Sequence, residues 1–235
     1  MKKLTPEQKA ELINYISGFV TDDKRKRIDQ ILERRTRYLT VVLEDIYQIH
    51  NASAVVRSCE CFGVQDLHVI EERNVFRINP DITVGASKWI SIKRYSSGDG
   101  TATQTCLEGL KARDYRIGAM IPRKDATPIN ELSLDQKVAL CFGTEEEGLS
   151  EGAHSLADIF VAIPMVGFTQ SFNLSVSVAL SLFALTDRLY GSRINWHLSE
   201  NEKRDVKIEW LSKAASHGDE LVKGFLNERG LNVTG

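Results

Sequence analysis

Ile163-Pro-Met-Val-Gly-Phe-Thr-Gln-Ser-Phe-Asn-Leu-Ser175 is the stretch on which the fold of this chain turns. The apolar run Ile159 to Ile163 before it has the length and composition of a buried strand. The apolar segment Leu174 to Leu189 after it has those of a buried helix. Between them Pro164, Gly167, Ser171 and Asn173 are too polar for a core. Ser171 or Asn173 can cap the incoming helix, so the loop presents backbone N–H groups where a helix begins. In α/β proteins such a strand-to-helix junction is a usual place for a ligand.

The same texture extends upstream. Leu39 to Glu44 reads as a strand, Ala52 to Phe62 as a helix with Asn51 or Ser53 at its start, and Asp66 to Glu71 as a second strand. Trp89 to Tyr95 alternates and should be a half-buried strand. Thr103 to Ala112 reads as helix, Tyr115 to Ile121 and Val138 to Phe142 as strands, and Glu151 to Ala157 as a short helix. Strands alternating with helices at this pitch predict an α/β fold, a parallel sheet flanked by helices on both faces. No acidic-Gly-x-Gly-x-Gly loop follows the first strand, so a Rossmann-type cofactor site is not expected. The glycines gather late instead, at Gly143, Gly148 and Gly167.

Outside the alternating region the chain is helical. Three segments are predicted: a basic N-terminal helical extension over 1–36, an α/β domain over 37–192, and a helical C-terminal extension over 193–235. One helix should begin at Pro6 after a Thr5 cap, and a second after Thr21. The second carries Lys24, Arg25, Lys26 and Arg27, followed by Arg34, Arg35 and Arg37. Between Lys24 and Arg37 the only acids are Asp29 and Glu33. That imbalance makes these seven cations the candidate RNA-phosphate surface.

Composition sets outer bounds. A net charge of −2 means that any nucleic-acid binding must come from local basic clusters rather than a global field. No apolar run reaches the 18 or so residues of a membrane span, and the N-terminus carries no signal-peptide core, so a cytoplasmic protein with no membrane segment is expected. Cys59, Cys61, Cys106 and Cys141 lack CxxC spacing and nearby histidines, so they read as small buried hydrophobes and no metal is expected.

Two further stretches give the loop at 163–175 its meaning. Asn51-Ala-Ser-Ala-Val-Val-Arg57-Ser-Cys-Glu-Cys-Phe-Gly63 follows one predicted strand, and Leu140-Cys-Phe-Gly-Thr-Glu145-Glu-Glu-Gly148-Leu-Ser150 overlaps and follows another. In this order and spacing the three resemble the signature motifs of the SPOUT class of RNA methyltransferases, within it the SpoU/TrmH family of RNA 2′-O-ribose methyltransferases. The resemblance covers roughly residues 39–190. It implies a C-terminal trefoil knot, a feature no periodicity could reveal and an exception to the unknotted rule.

The resemblance also implies S-adenosylmethionine as cofactor, held at Met120, Gly143, Ile163 and Phe172 largely by backbone groups. Phe172 stands where many relatives carry leucine, and Met120 where some carry a smaller residue. Arg57 matches the family's catalytic arginine, and Asn51, Glu145, Ser171 and Asn173 match the remaining polar site positions. A guanidinium is a poor base, so two roles stay open for Arg57: proton acceptor assisted by a substrate phosphate, or fixed cation facing developing alkoxide charge. Glu145 is expected to orient Arg57 or a loop N–H. Helical extensions at both ends are similar to those of tRNA guanosine 2′-O-methyltransferases, implying the D-loop guanosine at tRNA position 18 as target. Other open readings are an rRNA 2′-O-methyltransferase and a non-catalytic RNA-binding dimer of the same fold. The apolar helix 174–189 and the resemblance together predict a homodimer.

Overall fold

Leu39–Glu44 (β1) is six residues of mostly branched apolar character, and every one of them is buried. A strand with apolar residues on both faces must be covered on both faces, which is the situation of an interior parallel strand. In the computed structural model, which describes residues 4–231, β1 runs parallel to Asp66–Ile70 (β2) on one side, with Val41 opposite Leu67. Lys137–Phe142 (β6) lies on the other side, with Val41 opposite Leu140. The sheet is completed by Ser91–Tyr95 (β3), Tyr115–Met120 (β4), the two-residue strand Thr127–Pro128 (β5) and Ile159–Ala162 (β7). The order is β3-β2-β1-β6-β4-β7-β5, and every pairing is parallel.

Successive side chains of β1 divide between two cores. Leu39, Val41 and Leu43 join the core that contains Ala52, Val55, Val56 and Cys59 of helix α3 (Ile49–Cys61) and Val178, Leu182 and Leu185 of helix α7 (Leu174–Tyr190). Val42 points to the other face, where Cys106, Leu107 and Leu110 of α5 (Ala102–Lys111) and Ala153 of α6 (Glu151–Leu156) cover the sheet. Burying each such aliphatic side chain contributes about 1.5–3 kcal/mol before the entropy of ordering it is counted. A short helix α4 (Pro80–Thr83) and a single 3-10 turn (Ala86–Lys88) connect β2 to β3. This α/β body spans Thr36–Trp196.

Several boundaries differ from the sequence expectation. Helix α3 begins at Ile49, earlier than the Ala52 start read from sequence, with Gln48 in the cap position. Asn51 therefore sits inside the first turn and is not a cap. Trp89 and Ile90 precede β3 rather than opening it, and β3 is a half-buried edge strand. Of the cysteines, Cys59, Cys106 and Cys141 are buried as expected, but Cys61 is exposed near the end of α3.

The described residues on either side of the α/β body form a second compact unit, 4–35 together with 197–231. It holds α1 (Pro6–Ser17), α2 (Asp22–Leu32), α8 (Glu200–Ala214) and α9 (Gly218–Glu228). Thr5 and Gln8 form a reciprocal capping box on α1, as do Ser199 and Glu202 on α8. Leu12, Ile16, Val206, Trp210, Leu211 and Phe225 are buried in this unit. Lys9, almost covered, pairs with Asp205 at 2.6 Å. The two terminal segments are thus one folded unit drawn from both ends of the chain.

Candidate active site

Three segments far apart in sequence meet at one carboxylate. The first turn of α3 supplies Asn51, the cap of α7 supplies Asn173, and the loop after β6 supplies Glu145. Glu145 Oε1 accepts from Asn51 Nδ2 at 2.9 Å, from Asn173 Nδ2 at 3.1 Å and from the Leu174 backbone N–H at 3.3 Å. Asn173 Nδ2 also donates to Asn51 Oδ1 at 3.1 Å. Gln48 Oε1 accepts from Asn51 Nδ2 as well. Asn173 caps α7 through the Ser175 N–H at 2.9 Å while its amide serves the network, so one side chain does both jobs. A carboxylate that takes three N–H groups fixes their relative positions more firmly than any neutral acceptor would.

Backbone geometry places Glu145. Thr144 and Gly148 exchange both backbone hydrogen bonds at 3.0 Å, closing a hairpin over residues 144–148. Gly148 adopts φ +73°, and a Cβ built on Gly143 would lie 2.1 Å from the Gly148 carbonyl. Glycine at 143 is therefore required by the close approach of two chain segments, and glycine at 148 by the left-handed turn.

Beside this network lies a cleft of about 410 Å³, lined among others by Met120, Gly143, Glu145, Ile163, Ser171 and Phe172. The volume suits a small-molecule ligand. The lining contains Glu145, Glu146 and Glu147 and no lysine or arginine, so it disfavours a phosphate and favours a ligand that is neutral or positively charged. Met120, Phe142, Ile163 and Leu174 give it an apolar floor for a flat ring system. A nucleoside carrying a sulfonium centre fits that donor set.

Arg57 is elsewhere. Six residues along α3 from Asn51, it is turned about 120° around the helix from that side chain. It is exposed, and it is not among the residues lining the cleft. Of the two partners expected for Glu145, Arg57 or a loop N–H, the structure shows the second, the Leu174 N–H, together with the Asn51 and Asn173 amides.

The basic segment is thinner than its sequence suggests. Arg35 is 1% exposed, with its guanidinium 5.0 Å from the Trp210 ring, so it belongs to the core of the helical unit and not to a phosphate surface. Arg37 lies in the α/β body, where its Nε donates to the buried Asp66 at 3.1 Å. Arg25 is engaged with Asp22 and donates to the Ser17 carbonyl at 2.9 Å. Lys24, Lys26, Arg27 and Arg34 are exposed. Among the described residues no group of three or more His, Cys, Asp or Glu is arranged to hold a metal, and no helix is long and apolar enough to cross a membrane.

Residues that sequence reading passed over also shape the site. Glu44 and Asp45, at the end of β1, are buried carboxylates: Glu44 accepts from Ser150, just past the 144–148 hairpin, and Asp45 from the Arg73 N–H. Two acids closing an apolar strand are unusual enough to have marked them.

Comparison with known proteins identifies the family. Residues 38–183 match the SpoU rRNA Methylase family. A tRNA (guanosine(18)-2′-O)-methyltransferase of Borreliella burgdorferi is 41% identical over 215 residues, covering 92% of this chain and 96% of the relative. The crystal structure of the A. aeolicus TrmH/SpoU tRNA modifying enzyme superposes with a TM-score of 0.71 at 28% identity, covering 82% of this chain and 96% of that one. The SpoU methyltransferase AviRb from Streptomyces viridochromogenes, solved in complex with the cofactor AdoMet, shares the fold with a TM-score of 0.56 at 18% identity, covering 70% and 65%. With a matching region that takes in all three motifs and a relative aligned almost end to end, this chain belongs to the SpoU methylase family.

Proposed function

We propose that this protein is a tRNA (guanosine-2′-O)-methyltransferase that methylates the ribose of the D-loop guanosine at position 18, using S-adenosylmethionine. The observation that carries the target is the near full-length match to a guanosine-18 enzyme at 41% identity, over 92% of this chain. The observation that carries the chemistry is the cleft beside the Asn51–Glu145–Asn173 network.

S-adenosylmethionine supplies a methyl group already activated on sulfur, so the leaving thioether needs no acid. Met120, Gly143, Ile163 and Phe172 are assigned to hold the cofactor, since all four line the cleft. What remains for the protein is to align the ribose 2′-oxygen and to manage its proton. Asn51, Ser171 and Asn173 are assigned to position the ribose, with Glu145 holding the two amides in place. Arg57 is assigned as the cation that faces the developing alkoxide charge.

Its exposure, and its absence from the lining of its own chain's cleft, support a homodimer in which each Arg57 serves the other copy. Helix α7 supports the same reading, because it is apolar on two faces. Val178, Leu182, Leu185 and Leu189 face the core, while Val176, Leu180 and Phe183 are 42%, 39% and 62% exposed. The latter three recur every three to four residues and form a stripe that Phe62 extends, with ring centroids of Phe62 and Phe183 6.5 Å apart. A stripe of that composition on a SpoU-type domain suits a second copy of the chain.

We assign the exposed cations of α2 to tRNA phosphates and the terminal helical unit to RNA binding. We place the protein in the cytoplasm and the cleft loops in a trefoil knot. The insertion of β6 between β1 and β4, and of β7 between β4 and β5, supports such a threading. Mass spectrometry of tRNA nucleosides from cells with and without the gene tests the assignment. Loss of 2′-O-methylguanosine from the D-loop is expected, and an unchanged tRNA profile with loss of an rRNA methyl group would overturn it.

A further inference from the structure

The hairpin that carries Glu145 is held from two opposite sides. On the inner side, Glu145 takes the N–H groups of Asn51, Asn173 and Leu174. On the outer side, Glu147 Oε2 accepts from Arg73 Nη1 at 2.6 Å, and Arg73 Nε donates to Asp45 Oδ2 at 3.1 Å. Asp45 is a rigid base for this chain of contacts. It is buried, sits at φ 56°, and its Oδ1 accepts the backbone N–H groups of Glu72, Arg73 and Asn74 at 2.9, 2.8 and 3.2 Å. Its neighbour Glu44 anchors the chain leaving the hairpin, accepting from Ser150 N at 2.8 Å and Ser150 Oγ at 2.7 Å.

Glu147 lines the cofactor cleft on one side and a neighbouring cleft, shared with Asp45 and Arg73, on the other. Arg73 and Glu147 are 56% and 64% exposed, and an ion pair that open adds little to stability. Its placement at the tip of the hairpin has a geometric consequence instead. Movement of Glu147 toward or away from Arg73 moves Glu145, two residues earlier in the same closed turn, and with it both asparagines.

We propose that Arg73 is a positioning residue: bound to Asp45 and gripping Glu147, it sets the attitude of the 144–148 hairpin and so the position of the Asn51–Glu145–Asn173 network. This rests on the reading of that network as the site of methyl transfer.

The test is single-turnover methylation of a tRNA transcript by the full-length protein, at saturating S-adenosylmethionine and tRNA, with cofactor affinity and thermal unfolding measured alongside. Arg73→Ala and Glu147→Ala are each expected to slow methyl transfer roughly tenfold, the scale of a small misplacement at a reacting centre. Tm should stay near wild type for both, and cofactor affinity for Arg73→Ala; Glu147 lines the cleft, so for Glu147→Ala the rate is compared only at cofactor saturation. The double variant should be no slower than the slower single, because both remove one link, and Arg73→Lys should recover part of the rate. Single variants within about twofold of wild type, additive losses, or a loss confined to Tm or to cofactor affinity would each overturn the proposal. Should Arg73→Ala fold poorly, Glu147→Ala carries the test. Glu145→Gln run in parallel separates the two levels. If it is slow while the Arg73 and Glu147 variants are fast, only the positioning role falls; if it too is fast, the assignment of the site falls with it.

Discussion

Asn173 donates to Asn51 across 122 residues of sequence, at 3.1 Å, and both amides converge on one oxygen of Glu145. The contact locks the start of α3 to the start of α7, so the two helices that frame the site share one polar hinge pin. Arg57 lies on the same α3 but outside this lock, and that separation makes its contribution measurable by itself.

Replacing Arg57 with alanine is expected to leave folding and S-adenosylmethionine binding nearly unchanged, since Arg57 is exposed and lines no part of the cleft. Methyl transfer should fall by roughly a hundredfold, as when a stabilising partner of developing oxyanion charge is removed. Single-turnover methylation at saturating substrates isolates that step. Mixing Arg57→Ala subunits with Glu145→Gln subunits should restore activity in a fraction of hetero-dimers, whereas no restoration would place Arg57 at the cleft of its own chain.

The proposed RNA surface is best probed by charge removal. Deleting the N-terminal 36 residues would strip α1 and α2 from a unit whose other half is C-terminal. Changing Lys26, Arg27 and Arg34 together to glutamine should weaken tRNA binding and flatten the dependence of log K on log salt by about 2, at roughly 0.7–0.9 for each phosphate no longer neutralised. Arg35→Met should leave that slope alone and instead lower Tm, because Arg35 is buried against Trp210.

Phe183→Asp places a charge in the exposed stripe of α7 without touching the inner face. Light scattering at micromolar concentration should report monomer for the variant and dimer for wild type, with methylation lost alongside. A wild-type monomer would remove the shared-site reading.

The stability of the α/β body should fall as pH drops from about 6.5. His68 on β2 is buried, its Nδ1 2.8 Å from the Tyr95 hydroxyl. Desolvation, aided by Lys93, depresses its pKa to about 3. With the folded pKa below the unfolded value, the unfolded chain binds the extra proton. The contribution is therefore fully present above the unfolded pKa and is lost as pH falls toward 3, at no more than about 1.4 kcal/mol per pH unit. Denaturant midpoints measured from pH 7 to pH 4 should show a shallower decline in His68→Phe than in wild type.

Much of this was legible in the sequence for a simple reason: interior parallel strands are mostly apolar on both faces, and β6 above all declares itself by that, whereas β2 carries the buried Asp66 and His68 on one face. The site loops were legible because glycines and capping residues recur where geometry demands them, as at Gly143, Gly148 and Asn173. The start of α3 was not, because Ile49 and His50 fit a helix or a loop equally well, and that ambiguity disguised Asn51 as a cap. Arg35 was misread with its basic neighbours because one side chain's burial depends on Trp210, 175 residues away in sequence. Likewise β5 is two residues long and has no periodicity to detect.

The helical unit built from both chain ends imposes an order on biosynthesis. At ribosomal rates of roughly 5–20 residues per second, the α/β body spanning Thr36–Trp196 takes many seconds to emerge after α2. Throughout that interval Leu12 and Ile16 lack α8 and α9, and the basic face of α2 rests on an unfinished core. A nascent chain therefore has every residue of the Asn51–Glu145–Asn173 network outside the ribosome before the helical unit has its C-terminal half.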